Sequence, residues 1–342
     1  MTAPPAHGPE FEAAVNVTPS GNNLYSAFLQ DAFCIGTVPH GGYTSAVLYR
    51  LALVHFAFAH PDLYKGEPAT PISMHLTFLR RTASGPATLR VNDTKLGKRT
   101  SSLHVELLQA KDPNKAEQEG EEGMEVKVAG YITVSPASAE VGVSSKTDWE
   151  LFPKVAPGSE AGGEVDFINL AETGRDGHWA KLDPPFSEFR RATTQVELYN
   201  IDPVEKRNLR QNGIGDQWAR LRPEGKVTRW SNEGVIFLTD MFPMALDVFD
   251  AIASGADAES GGKGPTAKYW FPTVTLSIDL KKRLPENGEE WLYSRVVTKE
   301  VCNGRTDLDV TILNAKKEIV ALSTQIGLVV SASRNIGKRA RI

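Results

Sequence analysis

The sequence predicts an α+β protein in which one helix-plus-antiparallel-sheet unit occurs twice. Three observations carry that expectation. Two long apolar stretches, residues 41–59 and 235–253, read as helices. Each is followed by a run of short β-rich segments bounded by turn residues. The two runs also align with one another along a chain of 342 residues, long enough for two domains of ordinary size.

The first helix, "GGYTSAVLYRLALVHFAFA" (41–59), is apolar on nearly all sides, which marks a buried helix rather than a surface one. "ISMHLTFLRR" (72–81) alternates enough to read as a strand, and "PATLRVNDTKLG" (86–97), "RTSSLHVELLQA" (99–110) and "EVKVAGYITVS" (125–135) complete a meander. The second half repeats the order: helix 235–253, then "TVTLSIDLKKR" (273–283), "EWLYSRVVTKE" (290–300), "TDLDVTILNA" (306–315) and "EIVALSTQIGLVV" (318–330). Thr77 matches Asp279 at an offset of 202 residues, Arg99-Thr100 matches Arg305-Thr306 at 206, and Val128-Ala129 matches Val320-Ala321 at 192. The drop falls across "KDPNKAEQEGEEGME" (111–125), which reads as a solvated loop. Residues 136–185 have linker composition, although Trp149, Phe152 and Phe167 suggest that they pack on the domains. Such a layout implies two sheets side by side, each burying one face against its own helix.

Composition narrows the function. With 41% apolar and 23% charged residues and a net charge of −4, nothing points to nucleic acid or to a membrane surface. The richest apolar run, residues 43–58, is interrupted by Arg50 and His55 and is too short to span a bilayer. The N-terminus lacks a signal-peptide pattern, so an intracellular, cytoplasmic location is expected. Cys34 and Cys302 make neither a disulfide framework nor a CxxC site. GxSxG, P-loop and GxGxxG motifs are absent, and the seven histidines form no HxxxH or HExxH pattern. An enzyme of this sequence is therefore expected to work without metal or nucleotide cofactor.

One residue stands out chemically. In "WSNEGVIFLTDMFPMALDVF" (230–249) Asp240 is an acid in apolar company, and a desolvated carboxylate costs several kcal/mol unless partners satisfy it. A helix cap is the structural alternative, but Pro243 in a first helical turn makes Phe242 or Met241 the cap, so capping by Asp240 needs a shifted boundary. Laying Gly234 on Gly41 puts Asp240 opposite Val47, so the repeat does without the acid. That favours function. Thr275, early in a strand, and Gln325, interrupting the last one, are polar candidates beside it. Their ordinary readings are a β-branched strand residue and a solvent-facing position.

These stretches together resemble a known family. "PHGGY" opening a buried helix, then "MHLTFLRRTASGPATLRV" and "GKRTSSLHVELLQ", look like the first hotdog domain of acyl-CoA thioesterase II-like proteins. "LTDMFP", "TLSIDLKKRLPENGEEWLYS" and "VALSTQIG" are similar to that family's second hotdog domain, in the same order. The resemblance implies a tandem (double) hotdog of two antiparallel sheets, each wrapped around a long apolar helix. Residues 1–140 would form the N-terminal domain, 141–185 a linker, and 186–342 a C-terminal domain carrying the active site.

It further implies hydrolysis of an acyl-CoA or carrier-bound acyl thioester by a water that an Asp, a Thr and a Gln orient. Residue by residue the match gives Asp240, Thr275 and Gln325; the Thr match needs a one-residue gap, which leaves Thr273 as a substitute. His40 departs from the Asn or non-titrating residue common in relatives, and either contacts substrate or shapes the turn. Gly41 and Gly42 would let substrate approach closely, and Arg305, with Lys98 and Arg99, would meet substrate phosphates or remain solvated. The rival readings are a hotdog dehydratase or cyclase, disfavoured because no His stands near Asp240 in its half of the sequence, and a non-catalytic acyl-binding protein. Hotdog sheets commonly continue across subunits, so a homo-oligomer is also implied. The C-terminal "ARI" (340–342) resembles a peroxisomal address with Ile in place of the usual Leu, which keeps peroxisomal import as an alternative.

Overall fold

Turn residues space the strands, and hydrogen bonding joins nearly all of them into one surface. The computed structural model describes residues 9–112, 120–155, 165–184, 186–201, 213–242 and 268–336. A short helix α1 (Pro9–Ala14) leads into the hairpin β1 (Val17–Gly21) and β2 (Leu24–Leu29), then a small hairpin β3 (Cys34–Ile35) and β4 (Val38–Pro39). Helix α2 (Gly41–Ala59) follows, then β5 (Thr70–Phe78), β6 (Gly85–Lys95), β7 (Ser101–Ala110) and β8 (Met124–Ser135). Helix α3 (Phe167–Thr173) precedes β9 (Arg175–Asp176), β10 (Trp179–Lys181), β11 (Val196–Ile201) and β12 (Ile214–Leu221). Helix α4 (Asn232–Leu238) comes next, then β13 (Tyr269–Trp270), β14 (Thr273–Leu280) and β15 (Leu292–Val297). The chain continues through β16 (Val301–Cys302), β17 (Arg305–Asn314), β18 (Ile319–Leu328) and β19 (Val330–Ser331), and the described residues end in α5 (Ser333–Ile336).

The two expected sheets are one. Fifteen strands run in the order β1-β2-β6-β7-β8-β5-β14-β18-β17-β15-β12-β11-β10-β9, with β16 on β17. The junction is the antiparallel pair β5·β14, where His75 lies opposite Ser277 and Thr77 opposite Thr275. His75 and Ser277 are themselves related by the 202-residue repeat offset, so a local pseudo-twofold passes through this pair. Without the pairing, both strands would be exposed edges.

Helix α2 has the extent its apolar composition predicts, and its buried residues run from Gly42 to Phe56. The second helix differs. It starts at Asn232, where Ser231 Oγ accepts the Gly234 N–H at 3.3 Å, and its described helical residues end at Leu238. Thr239 to Phe242 are not helical. Phe242 precedes Pro243, and a residue before proline is pushed out of helical geometry; residues 243–253 of the expected helix lie outside the described residues, as do residues 113–119 of loop 111–125 and the "ARI" terminus.

Sequence reading also passed over β1, β2, β11 and β12. Every residue of β11 is buried, so the alternation that betrays a strand is missing. Within the stretch expected to be linker, α3 is capped by Asp166, and β10 pairs with β11, extending the sheet. Phe167 there stacks on Trp291 and meets Trp218 edge-on, covering an aromatic cluster on the sheet's outer face. Among the described residues no helix is long and apolar enough to cross a membrane.

The end of the described chain holds the approach to α2. Asn335 is fully buried; its Oδ1 accepts the Thr37 N–H at 2.9 Å and its Nδ2 donates to the Ile35 carbonyl at 2.8 Å. Arg81 donates to the Asn335 carbonyl. Gly36 adopts φ +58° against this side chain, where a Cβ would overlap Asn335 Oδ1. The β3–β4 hairpin so fixed delivers His40 to the helix start.

Candidate active site

The site forms where the N-terminus of α2, from one half, meets the C-terminal end of α4, from the other. Asp240 lies two residues past the last helical turn and is only 3% exposed. Its Oδ2 accepts the Gly42 N–H at 2.8 Å and its Oδ1 accepts the Thr273 hydroxyl at 3.0 Å. His40 Nδ1 stands 3.6 Å from Oδ2 without a hydrogen-bond partner among the described residues, and its ring packs edge-on to Phe237.

Two buried amides fix the backbone on either side of the acid. Gln325 Nε2 donates to the Thr239 carbonyl at 2.7 Å, and Gln217 Nε2 donates to the Met241 carbonyl at 2.8 Å. Asp240 is thus pinned outside the helix from two strands. Gln325 faces the core rather than solvent, contrary to its ordinary reading, and its Oε1 has no partner among the described residues.

The structure brings Thr273, not Thr275, to Asp240. Thr273 pairs with Gly327 and Thr275 with Ile326, so Val274 is an extra residue in β14. Such a bulge breaks the period-two rule and turns residues two apart to opposite faces. Thr275 lies on the face of Ser277 and Asp279, away from buried Leu276 and Ile278. The one-residue gap in the sequence match marks this bulge.

The other expected substrate contacts separate. Gly41 and Gly42 serve the helix junction: a Cβ on Gly42 would lie 2.5 Å from the Phe237 carbonyl oxygen, and one on Gly41 would lie 2.6 Å from Asp240 Oδ2. Their smallness lets Asp240 approach, whatever they do for substrate. Arg305 is exposed at the start of β17, opposite Cys302, and does not line the cleft over the site. That cleft is about 1330 Å³; Asp240, His40 and Thr273 line it beside the aromatic rings of Phe78, Trp270 and Phe271. Its cations include Arg80, Arg81 and Lys111 instead of Arg305. Gln217 and these walls were missed by sequence reading. Nothing in "GDQWARL", which also carries Asp216 and Arg220, singled out Gln217.

Burial pushes the Asp240 carboxyl above the usual carboxylate range, although the His40 ring, the Gly42 N–H and the Thr273 hydroxyl oppose the shift. Burial lowers His40 below the ordinary imidazole range, and the Asp240 charge only partly offsets it. The signs set a pH response. Asp240, raised in the folded state, contributes most to stability in acid and loses that contribution as pH climbs through its folded value. His40, depressed, contributes above the ordinary imidazole range and loses it as pH falls through its lowered folded value. Urea midpoints measured from pH 4 to 8 should show Asp240→Asn gaining on the wild type as pH rises. A constant difference between the two would contradict a raised carboxyl.

Asp240 and His40 supply one carboxylate and one imidazole to the cleft, a poor donor set for a tightly held metal. Chemically the arrangement is a buried carboxyl of raised proton affinity beside a cleft walled by aromatic rings and cations. The His–acid pair that sequence reading found missing is present, because its His comes from the other half.

Family models for the N-terminal and C-terminal domains of acyl-CoA thioesterases match residues 29–135 and 169–329. The thioesterase-like protein TwmA of Talaromyces wortmannii is 31% identical over 347 residues, spanning 96% of this chain and 94% of that protein. Among solved structures, a candidate thioesterase II from Thermobifida fusca superposes with a TM-score of 0.64 at 19% identity, covering 93% of this chain and 98% of the other. A protein with a hotdog fold from Alicyclobacillus acidocaldarius gives 0.63 at 15% identity, covering 94% and 98%. At such identities the structural likeness speaks for the fold, and the family models with the 31% relative speak for descent. The chain has the hotdog fold and belongs to the acyl-CoA thioesterase family.

Proposed function

We propose that this protein hydrolyses an acyl thioester, carried on CoA or on a pantetheine arm, with Asp240 as the base. The domains would be a tandem hotdog divided as 1–140 and 186–342. The observation that carries the reading is a buried carboxylate, held by one hydroxyl and one backbone N–H, opening on an aromatic-lined cleft. Water attacks the thioester carbonyl carbon and gives its proton to Asp240; the tetrahedral adduct expels the thiolate, which takes that proton back as the thiol. The Thr273 hydroxyl and the Gln325 amide position the acid, and Gln325 Oε1 remains an acceptor for the water. The N–H of Gly41, at the positive end of a 19-residue helix, suits the developing oxyanion.

A second reading is favoured by the His40–Asp240 approach of 3.6 Å. Dehydration of a β-hydroxyacyl thioester needs a base to take the α-proton and an acid to protonate the leaving hydroxyl, and an imidazole beside a protonated carboxyl fits that division. A panel of acyl-CoA and 3-hydroxyacyl pantetheine thioesters separates the readings. Free thiol means hydrolysis, a new conjugated double bond means dehydration, and tight binding with neither means an acyl carrier; either of the last two outcomes overturns the proposal. Within the hydrolytic reading Thr273→Val should lower kcat/KM about tenfold to a hundredfold, and Thr275→Val should leave it within about twofold. Equal losses in both would return Thr275 to the site.

A further inference from the structure

We propose that His55, His60 and Asp93 form a binding site for one divalent transition-metal ion of the zinc type, at the opposite end of α2 from Asp240. Helix α2 spans about 28 Å, so such an ion would take no part in the chemistry at the cleft. The sequence pattern hides the cluster. His55 and His60 are five apart, a spacing that puts side chains on different faces of a continuous helix. The helix stops at Ala59, and His60 (φ −133°, ψ 48°) swings back beside His55, with ring centroids 5.2 Å apart. Asp93 arrives from β6, just before a register shift that ends the regular pairing.

Three donors converge. His55 Nε2 lies 2.9 Å from Asp93 Oδ1 and His60 Nε2 lies 2.9 Å from Oδ2, and the donor atoms all fall within 4.8 Å of one another. Atoms so placed share a point within about 2.8 Å of each, and a contraction of well under 1 Å reaches the bond lengths of zinc to imidazole and carboxylate. Two imidazoles with one carboxylate suit zinc, cobalt or nickel better than calcium or magnesium. His55 is sealed from solvent, whereas His60 and Asp93 are about a fifth exposed, which leaves one side open for access and for a water ligand. The Tyr25 hydroxyl sits 2.7 Å from His55 Nδ1, an outer contact of the kind that fixes the tautomer of a ligating histidine.

The hydrogen bonding agrees, since each imidazole turns its Nε2 to a different oxygen of the Asp93 carboxyl. In the metal-free form both rings donate their Nε2–H to Asp93. On binding, each ring carries its proton on Nδ1, His55 toward Tyr25 and His60 toward water. The ion would staple the end of α2 to β6.

The test uses the full, tag-free chain carrying Cys302→Ser, because Cys302 is an exposed free thiol and thiolates are zinc ligands. Calorimetric titration of the chelator-treated protein with Zn²⁺ should show one site per chain, with visible absorption bands when Co²⁺ is used. Tm should rise by about 3 °C or more with excess Zn²⁺. His60→Ala and Asp93→Asn should each abolish these signals. His60 is partly exposed, so its variant keeps the test decisive should Asp93→Asn fail to fold. Thioester turnover should not change with metal. No stoichiometric binding, or binding that survives His60→Ala, would leave the cluster as a hydrogen-bonded staple and overturn the site.

Discussion

Asp240→Asn should leave the protein folded and reduce thioester turnover by about a thousandfold or more, within the range that a general base contributes. The fold should survive because the amide can satisfy the same partners. Its carbonyl oxygen can replace Oδ2 at the Gly42 N–H, and its NH2 can face the Thr273 hydroxyl, which turns to accept. A desolvated charge is also removed, and exchanging a buried ionised group for a neutral isostere is often neutral or stabilising. Catalysis has no such substitute, since an amide cannot take a proton from water near neutral pH. Circular dichroism and the urea midpoint check the first half of the expectation, and free-thiol release from the best substrate checks the second. A folded variant with wild-type turnover would remove Asp240 from the mechanism.

The companion measurement is the pH–rate profile. Hydrolysis needs ionised Asp240, so the rate should rise with pH through a midpoint above the usual carboxylate range. His40→Ala then distinguishes the two chemistries. In hydrolysis His40 only modulates the acid, so its loss should move the midpoint more than the plateau. In dehydration it is the base, and its loss should end activity altogether.

Much of this was legible in the sequence, and the exceptions have physical causes. The apolar run 41–59 marks α2 to the residue, because the Gly pair opens it and Pro61 ends it by pushing His60 out of helical geometry. The repeat offset of 202 aligns His75 with Ser277, but that these two residues would pair and join the halves in one sheet was not legible. Asp240 was found for an incomplete reason. The comparison that set it opposite Val47 assumed it lay within a helix, whereas the chain leaves the helix at Thr239 and Gln325 and Gln217 hold it there. Thr273 was kept only as the substitute for Thr275, because alternation cannot see the bulge at Val274 that sets the two on opposite faces. His40 was named as a substrate contact or turn residue but not as a neighbour of Asp240, because scanning the sequence around Asp240 cannot see a contact between residues 200 apart. What periodicity reveals is the inside and outside of one element. The site here lies between elements, where packing of the two halves decides which residues meet.

That packing has its sharpest test at Gly42. Helix propensity alone says that Gly42→Ala should stabilise the protein by up to about 1 kcal/mol, since alanine loses less entropy in a helix. Packing says the reverse. A Cβ at residue 42 would stand 2.5 Å from the Phe237 carbonyl oxygen and 2.9 Å from Asp240 Cβ, and the first of these is main chain that cannot rotate aside. Separating α2 from α4 to relieve the overlap would open the ring contact between Phe237 and His40 at the start of α2 and stretch the Gly42–Asp240 bond. Overpacking of this kind costs about 1–3 kcal/mol, and the lost charge-assisted hydrogen bond about 1.5–3 more, so destabilisation should win by about 3 kcal/mol. Gly41→Ala should behave differently. Its Cβ meets the end of the Asp240 side chain, 2.6 Å from Oδ2, which can move aside. The urea midpoint should therefore fall strongly in Gly42→Ala and little in Gly41→Ala, while turnover falls in both. A Gly42→Ala protein as stable as the wild type would mean that the two helix ends do not meet as closely as the Asp240 site requires.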